Sequence, residues 1–125
     1  MIVGVGLDLV RIARVEDFVR RRGERALRRV FTAAEQARCA SSRAPAESLA
    51  ARFAAKEAFF KALGTGWGTG GRWTEVEVVS APSGAPSLRL SGRAAETAAA
   101  RGVARIHLSL THSDDTAAAV VVLEA

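Results

Sequence analysis

Two adjacent charged residues, Lys56 and Glu57, interrupt a stretch that otherwise reads as protein interior. From Ser48 to Leu63 the chain runs S-L-A-A-R-F-A-A-K-E-A-F-F-K-A-L. At helical spacing Leu49, Phe53, Phe60 and Leu63 share one face, and alanines fill most of the remainder. A helix apolar nearly all round is a buried helix. Lys56 projects into the middle of the Leu49/Phe53/Phe60 stripe. Burying an ammonium or a carboxylate without partners is costly, so the pair implies a polar cleft. A second carboxylate comes from the N-terminal stretch I-V-G-V-G-L-D-L-V, Ile2 to Val10, which reads as a strand. There Gly4, Gly6 and Asp8 lie on one face and Val3, Val5, Leu7 and Leu9 on the other. Glycine inside a strand marks close approach by another backbone or a ligand. Asp8 could simply cap the following turn, but beside two glycines it is also a candidate metal ligand.

Asp8 and Glu57 would offer two hard oxygen ligands with room left for waters and phosphate oxygens. That set suits Mg²⁺, which seldom takes an all-protein cage. Lys56 and Lys61 are near enough in sequence to flank the same site. Lysines beside a carboxylate-held Mg²⁺ make the composition expected for transfer from a phosphate or pyrophosphate.

The elements that must position these groups follow in order. Residues 14–22 read as a helix, Gly23 as its break, and residues 24–30 as a second short helix. Thr32-Ala33-Ala34-Glu35 is a capping box that opens a helix to about Ala40. Ser41 to Pro45 is a loop before the central helix. Gly64 to Gly71 is the only glycine-rich run; Gly66, Gly68 and Gly71 match G-x-G-x-x-G, but after a helix and before a strand, the wrong context for a dinucleotide site. Strands are expected at Trp73 to Ser80 and Leu88 to Leu90, and a helix from Gly92 to Arg101. Ile106 to Leu123 reads as a hairpin at the centre of a sheet. Its first strand ends in a polar group, Ser109, Thr111, His112 and Ser113, where a ligand can bind; His112 could equally be a satisfied structural histidine.

With 125 residues, 49% hydrophobic and 25% charged, the chain suits one domain, residues 1–125, with its own core. Cys39 is the only cysteine, which excludes an intrachain disulfide and a multi-cysteine metal site. No apolar run reaches membrane-spanning length, and Met1 to Val5 lacks the basic start of a signal peptide. The expectation is a cytoplasmic protein with no membrane partner. The net charge of +5 is concentrated between Arg11 and Arg38. Arg14, Arg21, Arg25 and Arg28 would line one side there if the two helices run on nearly collinearly. Such a patch faces something acidic.

Three stretches together resemble a known family. G-V-G-L-D-L-V at the start, A-A-R-F-A-A-K-E-A-F-F-K-A-L-G-T-G from Ala50 to Gly66, and H-L-S-L-T-H from His107 to His112 are similar, in order and spacing, to holo-acyl-carrier-protein synthase, the small 4′-phosphopantetheinyl transferase. The resemblance implies an α+β fold, a long buried helix on a mixed or antiparallel sheet. It implies transfer of phosphopantetheine from coenzyme A to a serine of an apo-acyl carrier protein, with release of adenosine 3′,5′-bisphosphate. Under it, Asp8 and Glu57 hold Mg²⁺ and act in catalysis with Lys61. Lys56, Lys61, Gly64, Gly66, Ser109, Thr111 and His112 bind coenzyme A. Arg14 matches a position that docks the acidic carrier, and Arg21, Arg25 and Arg28 extend that face. A homotrimer with sites at subunit interfaces is implied as well.

Two other readings compete. A Mg²⁺-dependent phosphotransferase acting on nucleotides alone would need no carrier. A basic nucleic-acid module would use the arginines, but Phe18 and Phe31 look like core residues rather than interleaved stacking aromatics. No nucleic-acid partner is expected.

Overall fold

The computed structural model describes residues 1–66 and 68–125; Trp67, in the glycine-rich run, lies outside the described residues. The elements are β1 (Ile2–Arg11), α1 (Ile12–Val30), α2 (Ala33–Ala40), α3 (Pro45–Leu63), a 3₁₀ turn (Trp73–Glu75), β2 (Val76–Ser80), β3 (Pro86–Leu90), α4 (Gly92–Ala100), β4 (Arg105–His112) and β5 (Thr116–Glu124). A three-stranded sheet has the order β1-β5-β4, and β2 and β3 pair separately. Every pairing is antiparallel; short turns reverse the chain from β2 into β3 and from β4 into β5. The α+β expectation holds. The expected central hairpin supplies one central strand only: β5 lies between β1 and β4, and β4 is an outer strand.

The helix α3 begins at Pro45, three residues before the predicted start. Proline suits the first helical position, where its missing N–H would have no partner. Gly64, left-handed at φ 78°, ends the helix and returns its N–H to the carbonyls of Phe60 and Lys61. Between these ends Ala50, Ala54, Ala55, Ala58, Phe59 and Phe60 are buried, and they make α3 the centre of the core.

The glycine face of β1 meets backbone. A Cβ built on Gly4 would stand 2.0 Å from the Ala62 carbonyl oxygen, and one on Gly6 1.8 Å from that of Ala58. Strand and helix therefore touch main chain to main chain, with only alanines on the helix side. The opposite face of β1 points outward, and Val5, Leu7 and Leu9 are 60%, 60% and 67% exposed. Leu7 pairs with Val120 of β5, which pairs with Ser109 of β4, so the outer face runs across all three strands.

The helix α1 is bent. Gly23 sits at φ 72°, ψ −166°, and splits residues 12–30 into two helical segments. The collinear arginine row expected from the sequence is corrected by this bend, which turns Arg25 and Arg28 away from the line of Arg14 and Arg21. The capping box forms as read: the Glu35 N–H donates to Thr32 Oγ1 at 3.1 Å and the Thr32 N–H to Glu35 Oε1 at 2.9 Å.

Gly6→Ala is expected to lower the unfolding free energy by about 2–4 kcal/mol, because a backbone carbonyl cannot rotate out of the way. Gly23→Ala meets open space and is limited to the cost of a backbone conformation, φ 72° and ψ −166°, that is essentially confined to glycine, about 1–3 kcal/mol. Denaturant titration of the two variants checks both figures.

Candidate active site

Asp8 reaches the inner side of β1 at the point where α3 crosses it. The Lys61 ammonium donates to Asp8 Oδ1 at 2.9 Å and to the Leu7 carbonyl at 3.2 Å. Glu57 lies one turn before Lys61 on the same helix side. Burial raises the Glu57 pKa above the ordinary carboxylate value, and the neighbouring Asp8 charge raises it further; Lys61 and Arg14 act in the opposite sense. Glu57 thus lies within reach of the charges of a second carboxylate, a lysine and an arginine. Like charges confined in this way favour a proton or a cation between them. Among the described residues no group of three His, Cys, Asp or Glu side chains gathers. A pair of carboxylates fits Mg²⁺, which keeps several waters and takes phosphate oxygens as its other ligands.

Lys56 does not join this site, which corrects the expectation that it flanks the carboxylates. It is fully buried, and its ammonium donates to Glu35 Oε1 at 2.8 Å, the Trp73 carbonyl at 3.0 Å and the Val76 carbonyl at 2.7 Å. All three protons are taken. Desolvation lowers the Lys56 pKa while the Glu35 charge works to raise it. Glu35 Oε2 in turn accepts the Val78 N–H at 2.8 Å. The expected polar cleft is therefore a closed ion pair that joins α2, α3 and β2. Successive helix residues stand about 100° apart, so Glu57 turns toward β1 while Lys56 turns into the core. The signal was present in the sequence, since Lys56 lies at the middle of the apolar stripe and Glu57 at its flank.

The remaining predicted residues divide. Gly64 follows Lys61 at the end of α3, and Gly66 is left-handed just beyond it, at φ 67°. The Arg101 guanidinium donates to the Leu63 carbonyl at the same point. Ser109 and Thr111 are exposed on the outer face of β4, opposite the side on which Asp8 meets α3. His112 Nε2 lies 3.3 Å from Glu47 Oε1 in the first turn of α3, about 21 Å along the helix from Lys61. Within one chain, this strand end is not brought to the carboxylates.

A sequence profile of the 4′-phosphopantetheinyl transferase superfamily matches residues 4–121. The chain belongs to that superfamily. It is 51% identical over 129 residues to the holo-[acyl-carrier-protein] synthase of Methylobacterium radiotolerans, with 100% of this chain and 95% of the relative covered. The crystal structure of the Neisseria meningitidis holo-[acyl-carrier-protein] synthase superposes with a TM-score of 0.92 at 31% identity over the full length of both chains. That of the Helicobacter pylori enzyme, in complex with coenzyme A, gives 0.85 at 32% identity, covering 96% of this chain and 99% of that one.

This phosphopantetheinyl transferase also holds a feature that no motif announced. A cavity of about 250 Å³ opens beside Arg14, with Val10, Val15, Phe18, Phe53 and Trp73 among its walls. Val10 lies two residues beyond Asp8 on the same strand face, and Phe53 one turn before Glu57. The cavity exists because α1 folds back over β1 and α3, and no local pattern encodes that return.

Lys56→Met leaves Glu35 buried without its cation and is expected to cost about 3–5 kcal/mol. Lys56→Met combined with Glu35→Leu recovers much of that loss, whereas Lys61→Ala, at a half-exposed pair, changes stability by less than about 1 kcal/mol. Chemical denaturation of the three variants tests the division between the two lysines.

Proposed function

We propose that Asp8 and Glu57 hold Mg²⁺ for the reaction of this chain, transfer of 4′-phosphopantetheine from coenzyme A to a serine of an apo-acyl carrier protein. The serine oxygen bonds to the phosphorus of the phosphopantetheine, the bond from that phosphorus to the leaving phosphate oxygen breaks, and adenosine 3′,5′-bisphosphate departs. The observation that carries this reading is the meeting of Asp8, Glu57, Lys61 and Arg14 at the crossing of β1 and α3. When bound, Mg²⁺ supplies positive charge to the pyrophosphate oxygens of coenzyme A. Glu57 takes the serine proton, directly or through a water. Lys61, held on Asp8, presents its ammonium to the charge that grows on the departing phosphate.

Gly64 and Gly66 offer backbone N–H groups to the coenzyme at the end of α3. Ser109, Thr111 and His112 serve the nucleotide of a neighbouring copy, a role supported by their separation from the carboxylates of their own chain. The outer face of β1 and β5 gives independent support, because Val5, Leu7 and Leu9 are exposed side by side along one strand face, the kind of apolar patch that marks an interaction surface. The assembly is a homotrimer in the cytoplasm, each copy a single domain that completes its neighbour's site. Arg14 meets the acidic carrier beside the reacting groups, with Arg21, Arg25 and Arg28 further along α1.

Incubation with coenzyme A, Mg²⁺ and an apo-acyl carrier protein is expected to add the mass of one phosphopantetheine to the carrier, with no gain in EDTA. Asp8→Ala and Glu57→Ala each lower the rate by at least about 100-fold while the fold survives. Unimpaired transfer by both variants overturns the roles given to these carboxylates, and hydrolysis of coenzyme A without any carrier product overturns the choice of acceptor. Sedimentation of the wild type is expected at three chain masses, and Leu7→Glu, which places a charge on the outer sheet face, at one.

A further inference from the structure

The glycine-rich run that follows α3 is held along one side by α4. Five of the eight residues from Gly64 to Gly71 are glycines, and glycine loses more conformational freedom on ordering than any other residue. Arginines at the two ends of α4 tether it. At its start the Arg101 guanidinium donates to the carbonyl of Leu63, the last residue of α3. Near its far end Arg93 Nε donates to the Thr69 carbonyl at 2.9 Å. Arg93 stands in the first turn of α4 and Arg101 is its C-terminal cap residue, about 12 Å further along the axis. Both guanidinium groups are directed at backbone carbonyls and not at carboxylates.

A third tie comes from Glu75. Its Oε1 accepts the Arg72 N–H at 2.8 Å and the Ala94 N–H at 3.4 Å, and its Oε2 the Arg93 N–H at 3.3 Å. One carboxylate thus joins the residue after the run to the N-terminus of α4, where the helix dipole favours negative charge. A Cβ on Gly92 would stand 2.1 Å from Glu75 Oε2, and one on Gly71 2.9 Å from Oε1, so the seat admits no side chain. Within the run the Gly66 carbonyl is engaged, accepting the Thr65 hydroxyl at 3.0 Å and the Gly70 N–H at 3.4 Å. Among the described residues the N–H groups of Thr65 and Gly66 donate to no protein acceptor. Two open N–H groups just beyond Lys61 suit anionic oxygens. A loop already fixed in place also binds a ligand without the entropic cost of ordering.

We propose that Arg93 and Arg101 are positioning residues for coenzyme A: by fixing the run against α4 they hold the Thr65 and Gly66 N–H groups in place for a phosphate of the coenzyme. The inference rests on the reading of the chain as a coenzyme A-dependent transferase. It gives α4, which supplies no group to the proposed active site, a part in coenzyme affinity. It also gives the glycine-rich run, which fits no dinucleotide motif, a use of its own.

The test is calorimetric binding of coenzyme A, together with steady-state transfer, for wild type, Arg93→Met, the double variant R93M/R101M and the lysine variant R93K/R101K. The double variant is expected to raise the Kd for coenzyme A at least about fivefold. Its kcat and its KM for the carrier are expected within about twofold of wild type. Arg93→Met is expected to give a smaller rise, and the lysine variant to keep most of the wild-type affinity. Dephospho-coenzyme A, which lacks the 3′-phosphate, is expected to lose affinity by the same factor as coenzyme A. Exchange of the Gly68 and Arg72 amides, hydrogen-bonded in the wild type, is expected to quicken in the double variant while the melting temperature stays within a few degrees. Arg93→Met, which removes one exposed bond, decides the same comparison if the double variant is unstable. An unchanged Kd for coenzyme A, or a raised one without faster exchange, overturns the tether and leaves the transfer reading standing. A loss seen with coenzyme A and absent with dephospho-coenzyme A overturns it in favour of direct contact between a guanidinium and the 3′-phosphate. A wild-type protein that neither binds coenzyme A nor modifies a carrier overturns the transfer reading itself.

Discussion

The site depends on how closely one helix can approach one strand. Asp8 belongs to β1, and Glu57 and Lys61 to α3, so the carboxylates meet only if the two backbones nearly touch. Gly4 and Gly6 permit that contact; any side chain there would occupy the position of a helix carbonyl. Ala58 and Ala62 complete the fit from the helix side. Small residues on both surfaces thus set the distance between acidic groups that lie 49 positions apart in sequence.

Contact alone does not fix which way α3 is rotated. The opposite side of the helix is held by Lys56, whose ammonium is shared among Glu35 and two carbonyls of the segment leading into β2. A buried ion pair contributes little net stability relative to apolar residues of the same size, but it is costly to break and specific about geometry. Here it ties α2, α3 and β2 together. With Lys56 anchored in the core, Glu57 and Lys61 turn to the β1 side and stay half-exposed. The neighbours Lys56 and Glu57 thus turn to opposite sides, one into the fold and one toward Asp8, where the proposed site lies.

Two surfaces of the chain remain uncovered, and they differ in kind. The outer sheet face is apolar and continuous across β1 and β5, a surface suited to burial against further copies. The arginine-bearing side of α1 is cationic, as suits a partner that must bind and then leave. The proposed activity uses both. The first brings the polar end of β4 to a neighbouring pair of carboxylates, and the second presents the acceptor.

Much was legible in the sequence because it is local or periodic. The glycine face of β1, the capping box, the buried helix and the pairing of Asp8 with Glu57 all follow from spacing along single elements and from the chemistry of a small set of side chains. The three motifs also identify the family, because a run such as Ala50 to Gly66 combines packing and chemistry that few folds share. Only the tertiary structure decided the rest. That Lys56 finds Glu35 depends on α2 folding against α3, across 21 positions. That Arg25 and Arg28 leave the line of Arg14 depends on the backbone angle at Gly23. The cavity at Arg14 is a space between elements, and the outer face of β1 is apolar in composition yet exposed. Periodicity tells which residues share a face; which surface that face meets is determined only when the elements pack.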